Sequence, residues 1–396
     1  MNTTLKEGVD WVGYVDWTVR DFHGYSTDRG SSYNSYLIRD EKVALIDTVK
    51  APYAQVLLDH VAALVPLDKV DYLVINHAEP DHAGSVPAVV KACPGIEIVC
   101  DERCRDALGA HFDTTGWKFK MVGSGDSLSL GKRSLSFLET PMVHWPESMF
   151  TYCPEEKILF SMDAFGQHYA SAHRFDDEEP MDVVMEEAKT YYANIVMLYA
   201  KPIARVLGQA SELDIDLIAP SHGVIWRSHI GKIIAAYAKW VSHHKEPKVL
   251  VIYDTMWQST EKMAQALVDG ALSVQGVDVR LFNVRASNVT ILATEVLDAA
   301  TVAVGSPTLN QTLMPAMAAV LTYWKGLKPA GKAGFAFGSY GWAQSAARDV
   351  EAYLKDMKFD LIREPLLVRF VPKKEDLDAC REAGKLLAEK ALELSA

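Results

Sequence analysis

Apolar and polar positions along the chain follow two regimes, which meet near Lys245-Glu246-Pro247-Lys248. Before this joint, short runs with period-two alternation read as strands. Those at 34–38 and 43–47 flank Asp40-Glu41-Lys42 and suggest a hairpin. Further strands are expected at 71–75, 96–100, 134–138, 157–161 and 217–219. Helical spacing appears between some of them, at 53–65, 84–92, 181–199 and 230–244. The mixture predicts an α+β half with sheet at its core and helices outside. After the joint, strands expected at 249–253, 277–282, 301–304, 333–337 and 366–371 alternate with helical stretches. Such alternation predicts an α/β, doubly wound parallel sheet. A charged joint containing proline reads as a linker, giving domains 1–246 and 247–396. A chain of 396 residues is also longer than one hydrophobic core usually serves.

Composition narrows the function classes. The apolar share of 49% and charged share of 23% are ordinary for a globular chain. A formal charge of −12 argues against nucleic acid, which needs a basic face. No apolar run approaches the roughly 20 residues that cross a bilayer. The start, Met1-Asn2-Thr3-Thr4-Leu5-Lys6-Glu7, has no apolar stretch of the kind a signal peptide carries, so a cytoplasmic protein without membrane contact is expected. The cysteines Cys93, Cys100, Cys104, Cys153 and Cys380 are odd in number and form no Cys-x-x-Cys. They read as buried thiols rather than as disulfides or cluster ligands.

The densest chemistry is His77-Ala78-Glu79-Pro80-Asp81-His82, directly after an apolar strand. In extended backbone His77, Glu79 and Asp81 share one face, and His82 points the other way unless the loop turns. Two sets of donors leaving one loop in different directions suit two metals. His144, Asp163 and His222 also lie just past apolar strand ends, where a sheet can gather distant residues. Four imidazoles and three carboxylates suit a pair of non-haem iron ions, whereas sulfur-rich sites suit zinc or copper(I). His60, His111, His168, His173, His229, His243 and His244 have no comparable context and read as surface or packing residues.

In the second half, Thr255-Met256-Trp257-Gln258-Ser259-Thr260 follows a strand and opens a helix. A hydroxyl-rich turn at a helix start can hold a phosphate, although Ser259 or Thr260 could equally be an ordinary cap. Two more loops of small, hydroxyl and aromatic residues follow strands, Ser306-Pro307-Thr308-Leu309-Asn310 and Gly338-Ser339-Tyr340-Gly341-Trp342. Ligands of doubly wound sheets bind where such loops converge. Trp342 or Tyr340 could flank a flat ring.

His-x-Glu-x-Asp-His with a later His, Asp and His resembles the flavodiiron proteins, or A-type flavoproteins. The Met-Trp-x-Ser-Thr, Ser-Pro-Thr and Gly-Ser-Tyr-Gly-Trp loops resemble that family's flavodoxin-like half. The resemblance covers nearly the whole chain. It implies a metallo-β-lactamase-like αββα sandwich followed by a flavodoxin-like domain. Zinc hydrolases of the first fold would carry His where this chain has Glu79. By the family's pattern His77, Glu79 and His144 would bind one iron, and Asp81, His82 and His222 the other. Asp163 and a solvent oxo or hydroxo group would bridge them. His23, in Phe22-His23-Gly24-Tyr25, and Tyr192, in Tyr191-Tyr192-Ala193-Asn194, would line the substrate pocket and donate hydrogen bonds or protons. FMN is implied rather than FAD, because one phosphate loop leaves no place for an adenosine half. The implied activity is reduction of O2 to water or NO to N2O. Electrons would come from a separate rubredoxin-like protein through FMN. The implied assembly is a head-to-tail homodimer or a dimer of dimers. Two alternatives stand beside this reading: a zinc-dependent hydrolase with a flavodoxin-like docking module, and an FMN electron carrier with a non-catalytic first half.

Overall fold

In the computed structural model, which describes residues 3–396, two mixed sheets face each other across one core. Met1 and Asn2, the start of the polar N-terminal stretch, lie outside the described residues. The first sheet runs in the order Thr3–Lys6, Val9–Trp11, Tyr36–Arg39, Val43–Ile46, Val70–Val74, Glu97–Cys100, Lys118–Met121. The second runs Ser127–Ser129, Ser134–Glu139, Met149–Cys153, Ile158–Met162, Leu217–Pro220. The core takes Ile38, Ala44 and Val74 from the first and Phe137, Met149 and Phe160 from the second. Helices Ala54–Ala62, Val86–Ala92 and Glu102–His111 belong to the same unit. This is the expected αββα sandwich. Its hairpin is Tyr36–Arg39 with Val43–Ile46, paired antiparallel.

The second half is a parallel sheet in the order Asp278–Asn283, Glu246–Tyr253, Ala299–Gly305, Ala333–Tyr340. Leu366–Arg369 and Asp360–Leu361 both pair with the last of these. One face packs on Ser259–Leu272 and Lys374–Ser395, and the other on Val289–Asp298, Pro315–Leu327 and Ser345–Asp356. The expected joint is itself strand: Pro247 sits where the register against Ala299–Gly305 shifts between Glu246 and Val249. A proline lacks the ladder N–H, and a register shift is where a strand tolerates that loss.

Among the described residues, contacts divide the chain into two compact units. One comprises residues up to Tyr192 together with Tyr199–Ala238; the other comprises Ala193–Leu198 and Lys239–Ala396. By these contacts the chain last passes from the first unit to the second between Ala238 and Lys239. No helix among the described residues is long and apolar enough to cross a membrane.

Candidate metal centre and flavin pocket

Val70–Val74 lies parallel between Val43–Ile46 and Glu97–Cys100, and the chain leaves its carboxyl end toward His77. Asp47, with φ at +53°, accepts hydrogen bonds from the Asn76 backbone N–H at 2.7 Å and side-chain amide at 2.9 Å. These bonds fix where the loop departs. Extended backbone was the expectation through Asp81, but Pro80 opens a helical turn, Pro80–Ala83. Proline suits the first helical position, where its missing N–H costs nothing. The run is thereby split into two donor pairs, His77 with Glu79 and Asp81 with His82.

His144 comes from the loop that joins Ser134–Glu139 to Met149–Cys153. Asp163 and His222 follow the parallel neighbours Ile158–Met162 and Leu217–Pro220. All seven expected residues are brought together. Around one point stand His77 Nε2, Glu79 Oε2, His144 Nε2 and Asp163 Oδ2, each imidazole 3.2 to 3.3 Å from both carboxylate oxygens. Around a second stand Asp81, His82 and His222. Asp163 Oδ1 lies 3.0 Å from His82 Nε2 and 3.3 Å from His222 Nε2, and Asp81 Oδ2 lies 3.2 Å from His222 Nε2.

His77 Nε2 and Glu79 Oε2 meet as a hydrogen bond, but hydrogen bonding does not account for the rest of the cluster. Both oxygens of Asp163, Asp81 Oδ1 and both ring nitrogens of His82 are buried without a hydrogen-bond partner. Orphaned buried polar atoms cost about 1–3 kcal/mol each, more when charged, so the five on Asp81, His82 and Asp163 need another reason to be held here. Donors sharing an ion at bond lengths of about 2.1 Å stand roughly 3.0–3.4 Å apart. Both groups fit that spacing, and nitrogen and oxygen donors without sulfur suit iron.

In the metal-free chain the charges compensate one another. Burial opposes charge on every imidazole, yet bonds from Glu147 and Glu79 push His77 up to about 10. Against the same opposing burial, Asp81 and Asp163 push His82 up to about 9 and His222 to about 10, while Asp163 and Glu79 push His144 to about 9. For Glu79 and Asp163 burial works upward, but the surrounding imidazoles hold both carboxyls well below the usual range.

Asp21–Phe22 and Tyr25–Ser26 form a hairpin whose two-residue turn is His23-Gly24, with φ at +55° and +89°. Two positive φ values are what a tight hairpin turn of this twist requires. The turn carries His23 to Glu79 at 2.9 Å, Nε2 to Oε1. Tyr192 stands elsewhere, its ring 5.2 Å from Tyr237. The tyrosine at the imidazoles is Tyr191, 5.8 Å from the His222 ring. Neighbours on a helix point about 100° apart, so both cannot face one site. Val184, Ala188 and Tyr191 share the buried face of Met181–Tyr191, a spacing that could have singled out Tyr191 from sequence. His168, expected to be ordinary, is also buried here. Its ring lies 5.1 Å from His222 and 4.9 Å from Tyr191, and its Nδ1 meets Ser31 Oγ at 2.9 Å. Burial first, then the charge of His222, holds its pKa well below the ordinary value.

In the second unit, Met256, Trp257, Ser259, Pro307, Thr308, Asn310, Ser339, Tyr340, Gly341 and Trp342 line a cavity of about 710 Å³. Gln311, Ala343, Phe370 and Val371 complete it, unanticipated from sequence. The other expected residues lie behind this lining. Gln258, with φ at +64°, turns the chain into helix Ser259–Leu272. Thr260 Oγ1 and Ser339 Oγ meet at 3.0 Å. Ser306 Oγ accepts from Met314 N, and Leu309 pairs with Thr312. A Cβ at Gly338 would lie 2.0 Å from the Ser306 carbonyl oxygen, so only glycine lets these loops converge. In the turn ahead of helix Ser259–Leu272, Thr255 Oγ1 is buried without a hydrogen-bond partner. Trp257 and Trp342, each 89% exposed, stand at the rim as free aromatic faces.

Residues 32–223 match the ODP family beta lactamase model, and residues 251–384 the flavodoxin model. The chain is 46% identical to the nitric oxide reductase of Moorella thermoacetica over 97% of each chain. It is 41% identical to the anaerobic nitric oxide reductase flavorubredoxin of Aeromonas hydrophila, across 98% of this chain and 79% of that one. Among solved structures, the flavodiiron protein from Giardia intestinalis superposes with a TM-score of 0.97 at 42% identity, covering 100% of this chain and 98% of that one. The chain belongs to the flavodiiron proteins. Rubredoxin oxygen:oxidoreductase from the anaerobe Desulfovibrio gigas superposes equally, with a TM-score of 0.97 at 37% identity over 100% of both chains. A flavodiiron protein is an oxidoreductase, which sets aside the hydrolase expectation, and its flavodoxin half implies FMN.

Proposed function

We propose that this flavodiiron protein reduces O2 to water, NO to N2O, or both, at two iron ions. His77, Glu79 and His144 would hold one ion and Asp81, His82 and His222 the other. Asp163 and a solvent oxo or hydroxo group would lie between them. One observation carries the reading: Asp163 turns Oδ2 to the first donor group and Oδ1 to the second. A carboxylate so divided suits two ions and has no use for one.

When bound, iron and FMN together supply the electrons: four, with four protons, turn O2 into two waters, and two, with two protons, turn two NO into N2O and water. The chain's own residues do the rest. His23 and Tyr191 stand where a reacting gas would need hydrogen bonds or protons, and the first is exposed enough to exchange with water. Tyr192, against Tyr237, supports the helix that carries Tyr191. Thr255, Ser259 and Thr260 hold the flavin phosphate at the helix start, and Trp257 and Trp342 flank its ring system. Electrons arrive from an external rubredoxin-like donor in the cytoplasm. A head-to-tail homodimer, or a dimer of such dimers, sets FMN of one subunit beside the iron pair of the other. The test is anaerobic reduction of FMN- and iron-loaded protein, followed by separate pulses of O2 and NO. Reoxidation with water or N2O as product supports the reading; a flavin that reoxidises while neither product forms overturns it.

A further inference from the structure

The imidazoles of the metal centre differ in what stands behind them. His77 donates from Nδ1 to Glu147 Oε1 at 2.8 Å, and the same oxygen accepts the Ala78 backbone N–H at 3.1 Å. Glu147 is 3% exposed, so this charge is held in the interior. His222 Nδ1 instead meets a neutral acceptor, the Ser32 carbonyl, at 2.7 Å. His82 Nδ1 is buried with no hydrogen-bond partner. Asp47, the other acid beneath this loop, bonds Asn76 and no imidazole. The anionic support is therefore on the His77 side.

A carboxylate accepting from a ligand imidazole fixes its tautomer and raises its basicity. A more basic ligand stabilises the higher oxidation state of the ion it holds. Charge points the same way: Glu147 adds negative charge beside the ion that His77 would hold, and no acid stands in the same place behind His82 or His222. Resting on the two-iron reading above, we infer that Glu147 is a positioning residue that makes the two iron positions unequal. The ion bound by His77, Glu79 and His144 has the lower midpoint potential and is the first of the pair to lose an electron.

The sequence around Glu147 gives this role no motif, since it is one acid in Trp145-Pro146-Glu147-Ser148. Its neighbours explain the placement. The Trp145 backbone N–H donates to Ser148 Oγ at 3.1 Å, and the Trp145 ring meets the His77 ring edge-on at 5.0 Å. One short loop thus carries both the ligand His144 and the partner of His77.

The experiment compares FMN- and iron-loaded wild type, Glu147→Gln and Glu147→Asp. Iron affinity is measured by chelator competition, and the two iron midpoint potentials by anaerobic redox titration with spectroscopy. Glu147→Gln is expected to hold iron about 10–100-fold more weakly. Its lower midpoint should move positive while the higher one stays near wild type. Glu147→Asp keeps the charge and should shift both readouts less. Wild-type affinity with both midpoints unchanged in Glu147→Gln would overturn the inference, as would equal shifts of both. If the glutamine variant does not fold, Glu147→Asp decides, because its shorter side chain withdraws from His77 Nδ1: a lower midpoint that does not move positive overturns the inference. Absence of a bound iron pair in the wild type would instead sink the two-iron reading itself.

Discussion

His23 and Glu79 meet at 2.9 Å although 56 positions separate them in the chain. The contact joins an imidazole, two-thirds exposed, to a carboxylate that is 9% exposed and faces both His77 and His144. Replacing His23 by Gln keeps a hydrogen-bonding side chain but removes the exchangeable ring proton. Iron content is expected to stay intact while turnover with gas falls about 10²-fold, the lower end of what a positioned acid–base group contributes. Iron assay and steady-state rates check this together. Unchanged turnover would remove His23 from proton delivery.

Tyr191 and Tyr192 provide a matched pair of variants. Burial and then the charge of Asp163 push the Tyr191 phenol well above its ordinary pKa, so it stays a donor across the working range. Tyr191→Phe is expected to lower turnover with iron retained, while Tyr192→Phe should leave turnover near wild type and lower the melting temperature. The reverse pattern, read from rates and thermal melts, would return the role to Tyr192.

Metal loading should be coupled to pH. His77 and His222 sit near 10 and His82 and His144 near 9 in the metal-free chain, so all four carry a proton at neutral pH. Metal needs the neutral ring, and each ligated imidazole must give up its proton. About four protons are therefore expected to leave as two ions bind, with apparent affinity rising as pH rises toward about 9–10. Calorimetric titration of metal-free protein in buffers of different ionisation enthalpy counts them. Release of none would contradict the ligand set.

Thr255 tests the flavin pocket. Its buried hydroxyl has no hydrogen-bond partner of its own, and a bond to a charged phosphate is worth about 1.5–3 kcal/mol. Thr255→Val, equal in shape, is expected to weaken FMN binding roughly ten- to hundredfold. Flavin fluorescence on titration into stripped protein measures it, and an unchanged Kd would place the phosphate elsewhere.

The legible parts of this protein are those where one residue type recurs at one kind of place. His77, Glu79, Asp81, His82, His144, Asp163 and His222 follow apolar strand ends, so gathering them needed only the sheet. The alternating second half was equally readable, because a parallel sheet forces strand and helix to alternate. Other features depend on packing that no local pattern carries. Met149–Cys153 is buried along most of its length and lacks the alternation that marks a half-exposed strand. The stretch expected as one helix over 181–199 changes to a π-helical turn at Tyr192–Val196 and a 3₁₀ turn at Met197–Tyr199. Glu147 and His168 owe their places to partners far away in the chain, His77 and His222.

Mössbauer spectroscopy of protein isolated without oxygen after growth on iron-57, with iron and zinc assayed in the same sample, tests the account most directly. Two irons per chain, magnetically coupled, are expected, and Asp163→Asn should lose the coupling because Asp163 is the side chain facing both donor groups. Zinc in place of iron, or iron that shows no coupling in the wild type, would contradict the assignment of this cluster as a dinuclear redox centre.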